Sequence, residues 1–280
     1  MRPHIRADKD AYKAWVNSLS IKNEHEGEKL KKVIIDRFHT FFDEVDGFDL
    51  LFSGGVDSTT IAFLAKQRGK KFTALAAGVK DSSDLMWAKG AAEDLGFPIK
   101  TVEFGENELT RDLPEIVRII NTTDPVKISI AVPFYYALKA SKNSVVFSGL
   151  GSEELFAGYQ RHEQAKNVNE ECLTGLKLMW ERDMERDIPL MNYYGKTHML
   201  PFLDSELVSY ALPIKAELKI KDSYKKWIFR DAASKLGVPK KFAWRAKKAA
   251  QYGSGTMKLM KRVAKKNKMT VKEWVVSHKA

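Results

Sequence analysis

A short glycine-containing loop carries the residue types best suited to hold phosphate. The apolar segment Phe48–Phe52 is predicted to form a strand and runs directly into Ser53, Gly54 and Gly55. Ser58 is predicted to begin a helix, and the backbone N–H groups at a helix start attract anions. Glycines carry no Cβ, so the backbone of the loop can approach phosphate oxygens closely. The pattern therefore predicts a phosphate-binding loop between a strand and a helix.

Asp57 adds a carboxylate to this loop and predicts a metal ion. A carboxylate repels phosphate unless a cation lies between them, which indicates Mg²⁺. No lysine follows the glycines, so the loop differs from the G-x-x-x-x-G-K-[ST] loop of γ-phosphate-transferring enzymes. The alternative interpretation is an ordinary glycine turn in which Asp57 only begins a helix.

A second loop follows the apolar segment Ser144–Phe147, which is also predicted to be a strand. This loop covers Ser148–Tyr159 and contains Glu153 and Glu154. In a parallel sheet the carboxyl ends of the strands share one edge, where ligands of such folds bind. We therefore expect Glu153 to lie opposite Asp57 across one metal ion. The alternative is a helix start that merely favours acidic residues.

Apolar segments alternate with helical patterns through the first half of the chain. Strands are predicted at Phe48–Phe52, Phe72–Ala77, Ile99–Glu103 and Ser144–Ser148. Helices are predicted at Val33–Val45, Ser58–Gln67, Asp84–Leu95, Ile130–Ala140, Glu170–Arg186, Ser205–Leu212, Tyr224–Leu236 and Met257–Lys266. This alternation predicts an α/β fold with a doubly wound parallel sheet. No strand is predicted after Gly158, so we expect an N-terminal helical arm at 1–30, an α/β core at 31–160 and a helical part at 161–280.

The composition narrows the class of protein. The chain has 280 residues, of which 44% are hydrophobic and 30% charged, as in ordinary globular proteins. No apolar stretch approaches the roughly 20 residues that span a bilayer, and the first residues lack the apolar segment of a secretory signal. Cys172 is the single cysteine and the six histidines have no metal-binding spacing, which excludes a disulfide within the chain and a multi-cysteine metal site. These features predict a cytoplasmic protein without a membrane partner.

The net charge of +11 is concentrated near the C-terminus. The segment from Lys240 to Lys272 contains many Lys and Arg residues and no acidic residue. Such a segment fits a solvated basic face, a face that handles phosphate, or a track for a polynucleotide. The sequence leaves these three interpretations open, so a nucleic-acid partner is not excluded.

The first loop resembles the pyrophosphate loop of the N-type ATP pyrophosphatases, and the second loop narrows the resemblance to one family. Ser148–Tyr159 closely resembles the S-G-E-G-x-D-E-x-F-x-G-Y string of asparagine synthetase. Further motifs follow in that family's order and approximate spacing, namely Pro201–Asp204, Lys226–Arg230 and Arg245–Lys247. Gln251–Ser254 looks most like the asparagine synthetase domain-containing proteins. The resemblance extends over most of the chain, from Val33 to Gly255.

The resemblance implies the PP-loop ATP pyrophosphatase fold, of the adenine-nucleotide alpha hydrolase-like type, and an AMP-forming amide ligase. Such an enzyme adenylates a small carboxylate substrate, aspartate by family default, and releases pyrophosphate. Ammonia or an amine then displaces AMP. The implied cofactors are ATP and Mg²⁺. Fixed cations would suit this chemistry because they lower the repulsion between the carboxylate and the α-phosphate.

The loop patterns and the resemblance together assign candidate site residues. ATP and pyrophosphate are expected at Phe52, Ser53, Gly54, Gly55, Asp57, Ser58, Ala77, Gly78, Ser148 and Gly149. Mg²⁺ is expected at Asp57 and Glu153. Catalytic roles are expected for Lys226 near the pyrophosphate, for Arg230, and for Lys247 at the reacting carbonyl. Outside these motifs, Lys226 and Lys247 would be read as ordinary surface lysines.

Three departures from the family pattern affect the acceptor half of the site. Leu150 stands where the family has a glutamate tied to the adenylate and to the amide step, and leucine cannot accept a proton. Glu153 replaces the usual aspartate. Thr197–Met199 replaces an E-x-R string, so an arginine suited to bidentate carboxylate contact is missing there. The acceptor therefore stays open.

The nitrogen source and the partners also stay open. A glutaminase domain needs an N-terminal cysteine nucleophile, whereas this chain begins Met1-Arg2. Nitrogen is thus expected from free ammonia, a separate glutaminase subunit or an amine-bearing substrate, and a homo-oligomer is compatible with the sequence. Two rival functions are a tRNA-modifying PP-loop enzyme and a non-catalytic nucleotide-binding regulatory subunit.

Overall fold

The computed structural model of this chain describes residues 8–246 and 249–279. Within them, five strands form one parallel sheet. The strands are β1 (Gly47–Leu51), β2 (Lys71–Gly78), β3 (Ile99–Glu103), β4 (Val145–Phe147) and β5 (Thr197–Met199). Their order across the sheet is β3-β2-β1-β4-β5, and every neighbouring pair is parallel. The predicted doubly wound parallel sheet is confirmed.

The strand order reverses between β1 and β4. The chain proceeds from β1 to β2 and β3, and then returns to the other side of β1 to form β4 and β5. In sheets of this kind the ligand crevice lies outside the carboxyl ends of the strands, at the point where the order reverses. The loop that begins at Ser53 follows β1 and the loop that begins at Ser148 follows β4. Both predicted loops therefore leave the sheet at the switch point.

Helices account for most of the remaining chain. The first six are α1 (Lys9–Ser18), α2 (Leu30–Asp43), α3 (Val56–Gln67), α4 (Ser83–Leu95), α5 (Glu106–Ile120) and α6 (Pro125–Ala140). After β4 come α7 (Ser152–Leu155), α8 (Gln160–Glu163), α9 (Val168–Met179), a π-helical turn (Trp180–Met184), α10 (Glu185–Tyr193), a 3₁₀ turn (Pro201–Leu203), α11 (Ser205–Ala211) and α12 (Ala216–Lys219). The last are α13 (Trp227–Leu236), α14 (Lys240–Ala243), α15 (Ala250–Gly253), α16 (Thr256–Lys266) and α17 (Val271–Val276). None of the described helices is both long and apolar enough to span a bilayer.

Aromatic side chains from α2 and the sheet form the core beside the loops. Phe42 of α2 stacks on Phe48 of β1 with ring centres 5.8 Å apart, and Phe48 lies 4.2 Å from Phe147 of β4. All three are fully buried. Aromatic pairs of this kind add about 0.5–1.5 kcal/mol each beyond the area that they bury. This packing holds β1 against β4 and so fixes the spacing of the two loops.

Asp49 is a buried carboxylate within β1, and it ties the sheet to the turn that leads into β4. Its Oδ2 accepts hydrogen bonds from the Ser141 hydroxyl at 2.7 Å, from Lys142 N at 2.9 Å and from Asn143 N at 3.0 Å. Its Oδ1 accepts from Asn143 Nδ2 at 2.8 Å. A buried charge is tolerated when its oxygens are satisfied in this way. Asp49 therefore helps to set the register of β4 against β1.

The expectation that no strand follows Gly158 was wrong. β5 pairs in parallel with β4, and β6 (Ile220–Lys221) pairs with β7 (Tyr224–Lys225) in an antiparallel hairpin. β5 has only three residues, of which Thr197 and His198 are polar, so neither an apolar run nor a clean alternation marks it. Pairing with β4 in the tertiary structure decides this strand.

The predicted helices also differ from the structure. The helix predicted at Tyr224–Leu236 begins only at Trp227, after β7. The single helix predicted at Glu170–Arg186 is divided into α9, the π-helical turn and the start of α10. Helix α5 was not predicted, and it contains Pro114 in its interior. Proline normally disfavours a helix interior, yet α5 buries Leu109, Leu113 and Ile116 along one face. The burial of this face offsets the local cost of the proline.

Candidate functional site

The first loop presents an uncapped helix start at the edge of the sheet. Gly55 is the N-cap of α3, and no side chain caps the amide groups of its first turn. Amide groups in this position are ready partners for an anion. Gly54 has a φ of +68°, and a Cβ there would lie 2.6 Å from the backbone of Trp87 in α4. Glycine at this position lets the loop pass close to α4.

The second loop touches the first loop at Gly149. A Cβ at Gly149 would lie 2.7 Å from the Cβ of Asp57. Gly158 plays the same part for Glu153, because a Cβ at Gly158 would lie 1.7 Å from Glu153 Oε2. Gly149 thus allows the two loops to approach each other, and Gly158 leaves room for the Glu153 side chain within the second loop.

Lys226 joins the two carboxylates. Its Nζ lies 2.7 Å and 2.9 Å from the two carboxylate oxygens of Asp57, and it forms an ion pair with Glu153. It also donates to the hydroxyl of Ser152 at 3.0 Å. The side chain is buried, and burial lowers the pKa of Lys226 while the charge of Asp57 opposes that shift. The structure therefore brings Asp57 and Glu153 to one cationic group, which is the lysine itself.

A tight hairpin delivers Lys226 to this position. The turn between β6 and β7 consists of Asp222 and Ser223, with φ values of +51° and +63°, as a type I′ turn requires. Lys226 follows β7 and is the N-cap of α13, with a φ of +58°. Non-glycine residues hold such a conformation at a cost of about 1–3 kcal/mol, and only where the surroundings enforce it. The hairpin and the carboxylate contacts supply that constraint.

The two carboxylates fit a magnesium ion that arrives with a phosphate ligand. Mg²⁺ in nucleotide sites usually takes one or two protein carboxylates and completes its shell with phosphate oxygens and water. Asp57 and Glu153 form such a pair, since both already contact one cation. Within residues 8–246 and 249–279, no group of three or more His, Cys, Asp or Glu side chains forms a metal site of its own. The donor set therefore suits Mg²⁺ bound with a nucleotide better than Mg²⁺ alone.

Arg245 connects the first loop to α4. Its Nη1 donates to the carbonyl of Ser53 at 2.6 Å, and its Nη2 donates to Asp84 of α4 at 2.8 Å. Its guanidinium lies 5.1 Å from the centre of the Trp87 ring, a cation–π contact. The sequence indicated Arg245 only as part of a motif, and the structure shows that it links the loop to α4.

Arg230 binds backbone carbonyls near the site. Its Nη1 donates to Ala243 at 2.7 Å and to Arg245 at 3.0 Å, and its Nε donates to Lys225 at 2.8 Å. These bonds connect the end of the hairpin, just before Lys226, to the segment that carries Arg245. In the structure Arg230 thus positions Lys226 and Arg245.

A cleft of about 840 Å³ opens at the carboxyl ends of β1, β2 and β4. It is lined by eight of the predicted nucleotide and metal residues, Phe52, Ser53, Asp57, Ser58, Ala77, Ser148, Gly149 and Glu153. An adjoining cavity of about 160 Å³ shares Ser53 and Asp57 with it and is lined further by Gly55, Arg230 and Arg245. Gly54 and Gly78 line neither space, and Lys226 lies buried beneath Asp57. Lys247 lies outside the described residues.

One wall of the cleft is an apolar face of α6. The residues that α6 contributes to this face are Val126, Ile130, Pro133, Phe134 and Ala137. Leu150 of the second loop also lines the cleft. The helix begins at Pro125, after the N-cap Asp124, whereas the sequence predicted a start at Ile130. The wall therefore offers van der Waals contact rather than hydrogen bonds to a ligand.

Two arginines that sequence reasoning missed also line the cleft. Arg182, in the π-helical turn, pairs with Glu154 and with Asp183, and Arg186 lies 3.4 Å from Asp183. π-helical turns occur frequently at functional sites. Two guanidinium groups therefore line the cleft, although Thr197–Met199 contains no arginine. The string Glu-Arg-Asp occurs twice here, at 181–183 and 185–187, and this repeat is the sequence feature that marks the two arginines.

His198 in β5 contacts the second loop. Its Nε2 lies 2.8 Å from the hydroxyl oxygen of Ser148. Burial lowers the pKa of His198 to about 3, and the charge of Arg186 adds to that shift. The ring is therefore neutral at ordinary pH and can orient the Ser148 hydroxyl, which lines the cleft.

The fold and the site together define a nucleotide-binding α/β protein, with two loops that converge at the switch point of a doubly wound sheet. The chain belongs to the asparagine synthase family, because the family model for asparagine synthase matches residues 48–199 and 197–274. This confirms the family that the motifs indicated. The fold is therefore the PP-loop type that this family has.

Curated relatives agree with this assignment. The chain is 32% identical over 263 residues to a putative asparagine synthetase 1 (glutamine-hydrolyzing) of Methanocaldococcus jannaschii. The match covers 79% of this chain and 48% of that protein. It is 30% identical over 223 residues to the asparagine synthetase of Gallus gallus, covering 74% of this chain and 40% of that protein. The chain thus spans about half the length, or less, of these relatives.

Solved structures show weaker likeness. An NMN synthetase from Francisella tularensis has a TM-score of 0.44 and 15% identity, over 92% of this chain and 88% of that one. An NH3-dependent NAD synthetase from Campylobacter jejuni has a TM-score of 0.35 and 17% identity, over 80% of this chain and 99% of that one. The family assignment rests on the sequence matches.

Proposed function

We propose that this chain is an ATP-dependent ligase that forms an amide in two steps. A carboxylate oxygen of the acceptor attacks the α-phosphorus of ATP, and pyrophosphate leaves. Ammonia or an amine then attacks the carbonyl carbon of the mixed anhydride, AMP leaves, and the nitrogen releases a proton. The proposal follows the family to which the chain belongs, and the arrangement of the two loops supports the ATP-using step.

The observation that carries the proposal is the convergence of Asp57, Glu153 and Lys226 in front of an uncapped helix start. Phosphate oxygens suit the amide groups of α3. Asp57 and Glu153 would hold Mg²⁺, which supplies charge neutralisation of the phosphates when it is bound. Lys226 keeps a fixed positive charge beside the same carboxylates, where it can lie close to a departing pyrophosphate.

The small cavity indicates where the pyrophosphate part of ATP would lie. Arg230 and Arg245 line it together with two carboxylates, Asp57 and Asp84. Two guanidinium groups therefore lie beside the first loop, and Arg245 is paired with Asp84. Positive charge that is fixed before the reaction stabilises the charge that develops on a leaving group. We assign this cavity to the pyrophosphate and assign Lys247, which follows Arg245 closely in the chain, to the reacting carbonyl.

The larger cleft is assigned to adenosine and the acceptor. The apolar face of α6 suits an adenine ring, and the end that contains Arg182 and Tyr159 is assigned to the acceptor carboxylate. Leu150 removes a proton acceptor from this region. Aspartate is the first acceptor to test, and the changed lining favours a test of other carboxylates beside it. Free ammonia, a glutaminase subunit or an amine-bearing substrate would supply nitrogen.

The test is exchange of labelled pyrophosphate into ATP with Mg²⁺ across a panel of amino acids and other carboxylates. Exchange that depends on one carboxylate is the expected result, and Asp57→Asn should abolish it. Product analysis with ammonium should then show AMP and pyrophosphate. Formation of ADP and phosphate would exclude the proposed reaction. Nucleotide binding without exchange for any acceptor would favour a regulatory role instead.

A further inference from the structure

One face of α16 carries a row of positive charge. Lys258, Lys261, Arg262 and Lys265 are all exposed, and their spacing of three and four residues places them on one side of the helix. Lys268, just after the helix, is exposed as well. We call these five residues the basic face. From the first to the last helical member it extends for about 10 Å along the axis.

The basic face takes no part in the packing of the core. The opposite side of α16 is buried and apolar, with Met257, Leu259, Met260 and Val263 in the core. Lys266, which lies beside the basic face, pairs with Glu106. In the part of the chain that the structure describes, no member of the basic face takes part in an ion pair. Charges that repel one another without compensation lower stability, and an anionic partner would supply that compensation.

Two features favour a nucleic acid over a membrane surface as the anionic partner of this face. The apolar side of α16 is already buried in the protein, so it cannot insert into a bilayer as an amphipathic membrane helix does. Tyr252 lies in α15, just before α16, and its side chain is 63% exposed. Tyr252 precedes the first member of the basic face by about two helical turns of chain, and an exposed aromatic ring near a basic track suits stacking on an unpaired base. Gln251 next to it lines the cleft.

We propose that the basic face and Tyr252 bind RNA, with the phosphodiester backbone along α16 and an unpaired base on Tyr252. The strand would then pass the mouth of the cleft. The basic face is independent of the proposed ligase reaction, because α16 contributes no residue to the cleft or to the small cavity.

The test measures binding of a labelled RNA hairpin with an unpaired loop by fluorescence anisotropy over a range of salt concentrations. The variant Lys258→Glu/Lys261→Glu/Lys265→Glu should bind more than about 10-fold more weakly at low salt. Its plot of log affinity against log salt should be shallower by about 2, since each lost phosphate contact removes roughly 0.7–0.9. A matched control is Lys22→Glu/Lys29→Glu/Lys71→Glu, which changes the net charge equally at exposed lysines elsewhere and should bind like the wild type.

Tyr252→Ala separates stacking from charge. Loss of one stacked base should weaken binding of the loop-containing RNA by about 5- to 150-fold, with an unchanged salt slope. Binding to a blunt RNA duplex, which offers no unpaired base, should be unaffected by this change. The corresponding triple glutamine variant at Lys258, Lys261 and Lys265 covers the case in which charge reversal unfolds the protein, and thermal melting of every variant checks folding.

Several results would overturn the proposal. They are no RNA binding by the wild type at low salt, equal losses in the basic-face variant and the control, and binding to anionic vesicles in place of RNA. Tighter binding to duplex DNA, or to single-stranded DNA of the loop sequence, than to the hairpin would also contradict it. Pyrophosphate exchange with a small acceptor should persist in the basic-face variants. Absence of pyrophosphate exchange in the wild type would instead contradict the proposed ligase function. Failure of the RNA-binding proposal can therefore be distinguished from failure of the ligase proposal.

Discussion

The ammonium group of Lys226 lies 2.7 Å from a carboxylate oxygen of Asp57 and forms an ion pair with Glu153. One lysine thus connects the loop after β1 to the loop after β4. It stands at the point on which both candidate magnesium ligands converge. Metal binding and the position of this lysine are therefore expected to be coupled.

The first prediction concerns Lys226→Met. Removal of one member of a buried ion pair costs about 3–5 kcal/mol of the free energy of unfolding, because the partner charges lose their compensation. Mg²⁺ should restore part of this loss, since it would take the place of the ammonium group. The rise in melting temperature on addition of Mg²⁺ should be larger for this variant than for the wild type.

A control for Lys226 is its neighbour Lys225. Lys225 pairs with Glu163 and is partly exposed, so Lys225→Met should cost about 1 kcal/mol or less. Its response to Mg²⁺ should match that of the wild type. Equal responses of all three proteins would show that Lys226 and the metal do not share a site.

The second prediction concerns Gly149→Ala. The added methyl group would lie 2.7 Å from Asp57 Cβ, so the two loops would have to move apart. Displacement of reacting groups by about 1 Å can slow an enzyme by about 100-fold, and we expect a loss of pyrophosphate exchange of that order. The far-ultraviolet circular dichroism spectrum should be unchanged.

Gly90→Ala is the matched control for Gly149. Gly90 lies inside α4, and a Cβ there meets nothing within 4 Å. Alanine in a helix interior is favoured over glycine by about 0.5–1 kcal/mol, so this variant should be slightly more stable and fully active. A similar loss of exchange in both variants would rule out the contact between the loops as the cause.

The third prediction concerns Arg245→Lys. Lysine keeps the charge but cannot donate to Ser53 and Asp84 with one planar group. Loss of these bonds to a partly buried arginine should cost about 1–3 kcal/mol of stability. Because the Ser53 carbonyl belongs to the first loop, KM for ATP in the exchange reaction should rise by about 10-fold, with a smaller effect on the maximum rate.

The control for Arg245 is Arg68, which makes a two-bond contact with Asp43 on the surface. Arg68→Lys should leave KM for ATP unchanged and have little effect on stability, because exposed ion pairs contribute little. An unchanged KM in Arg245→Lys would mean that this arginine supports the fold but not the loop.

The fourth prediction concerns pH. Burial lowers the pKa of His198 to about 3, against about 6.5 in the unfolded chain. Between these values the unfolded state binds a proton that the folded state does not, so stability is lost as the pH falls below about 6.5. At about pH 5 the loss due to His198 is about 2 kcal/mol.

His198→Gln tests this dependence, since the glutamine amide can retain a hydrogen bond to Ser148. Urea unfolding at neutral and acidic pH should show a fall in stability that is smaller by about 2 kcal/mol in the variant. Burial raises the pKa values of Glu154 and Asp187, which has the opposite sign, but both groups are present in each protein and cancel in the comparison. Identical pH dependence in the two proteins would show that folding does not lower the pKa of His198.

Local patterns predicted the elements that carry the loops. Phe48–Phe52 and Phe72–Ala77 are near-continuous apolar runs, and such runs identify buried parallel strands without tertiary information. β5 has no such signal, because its three residues include Thr197 and His198 and its place depends on an open edge of β4. The π-helical turn is likewise invisible to a pattern with the period of an α-helix.

The sequence by itself determined the two loops, the order of the motifs and the family, because glycine, serine and carboxylate spacing is a local property of the chain. It placed Asp57 and Glu153 at one edge of the sheet by the rule that parallel strands share an edge. Only the tertiary structure decided which cation lies between them, that Arg245 holds Ser53, and that Arg182 faces the cleft. These contacts join segments far apart in the chain, and their geometry depends on how the hairpin, α4 and the π-helical turn pack around the sheet.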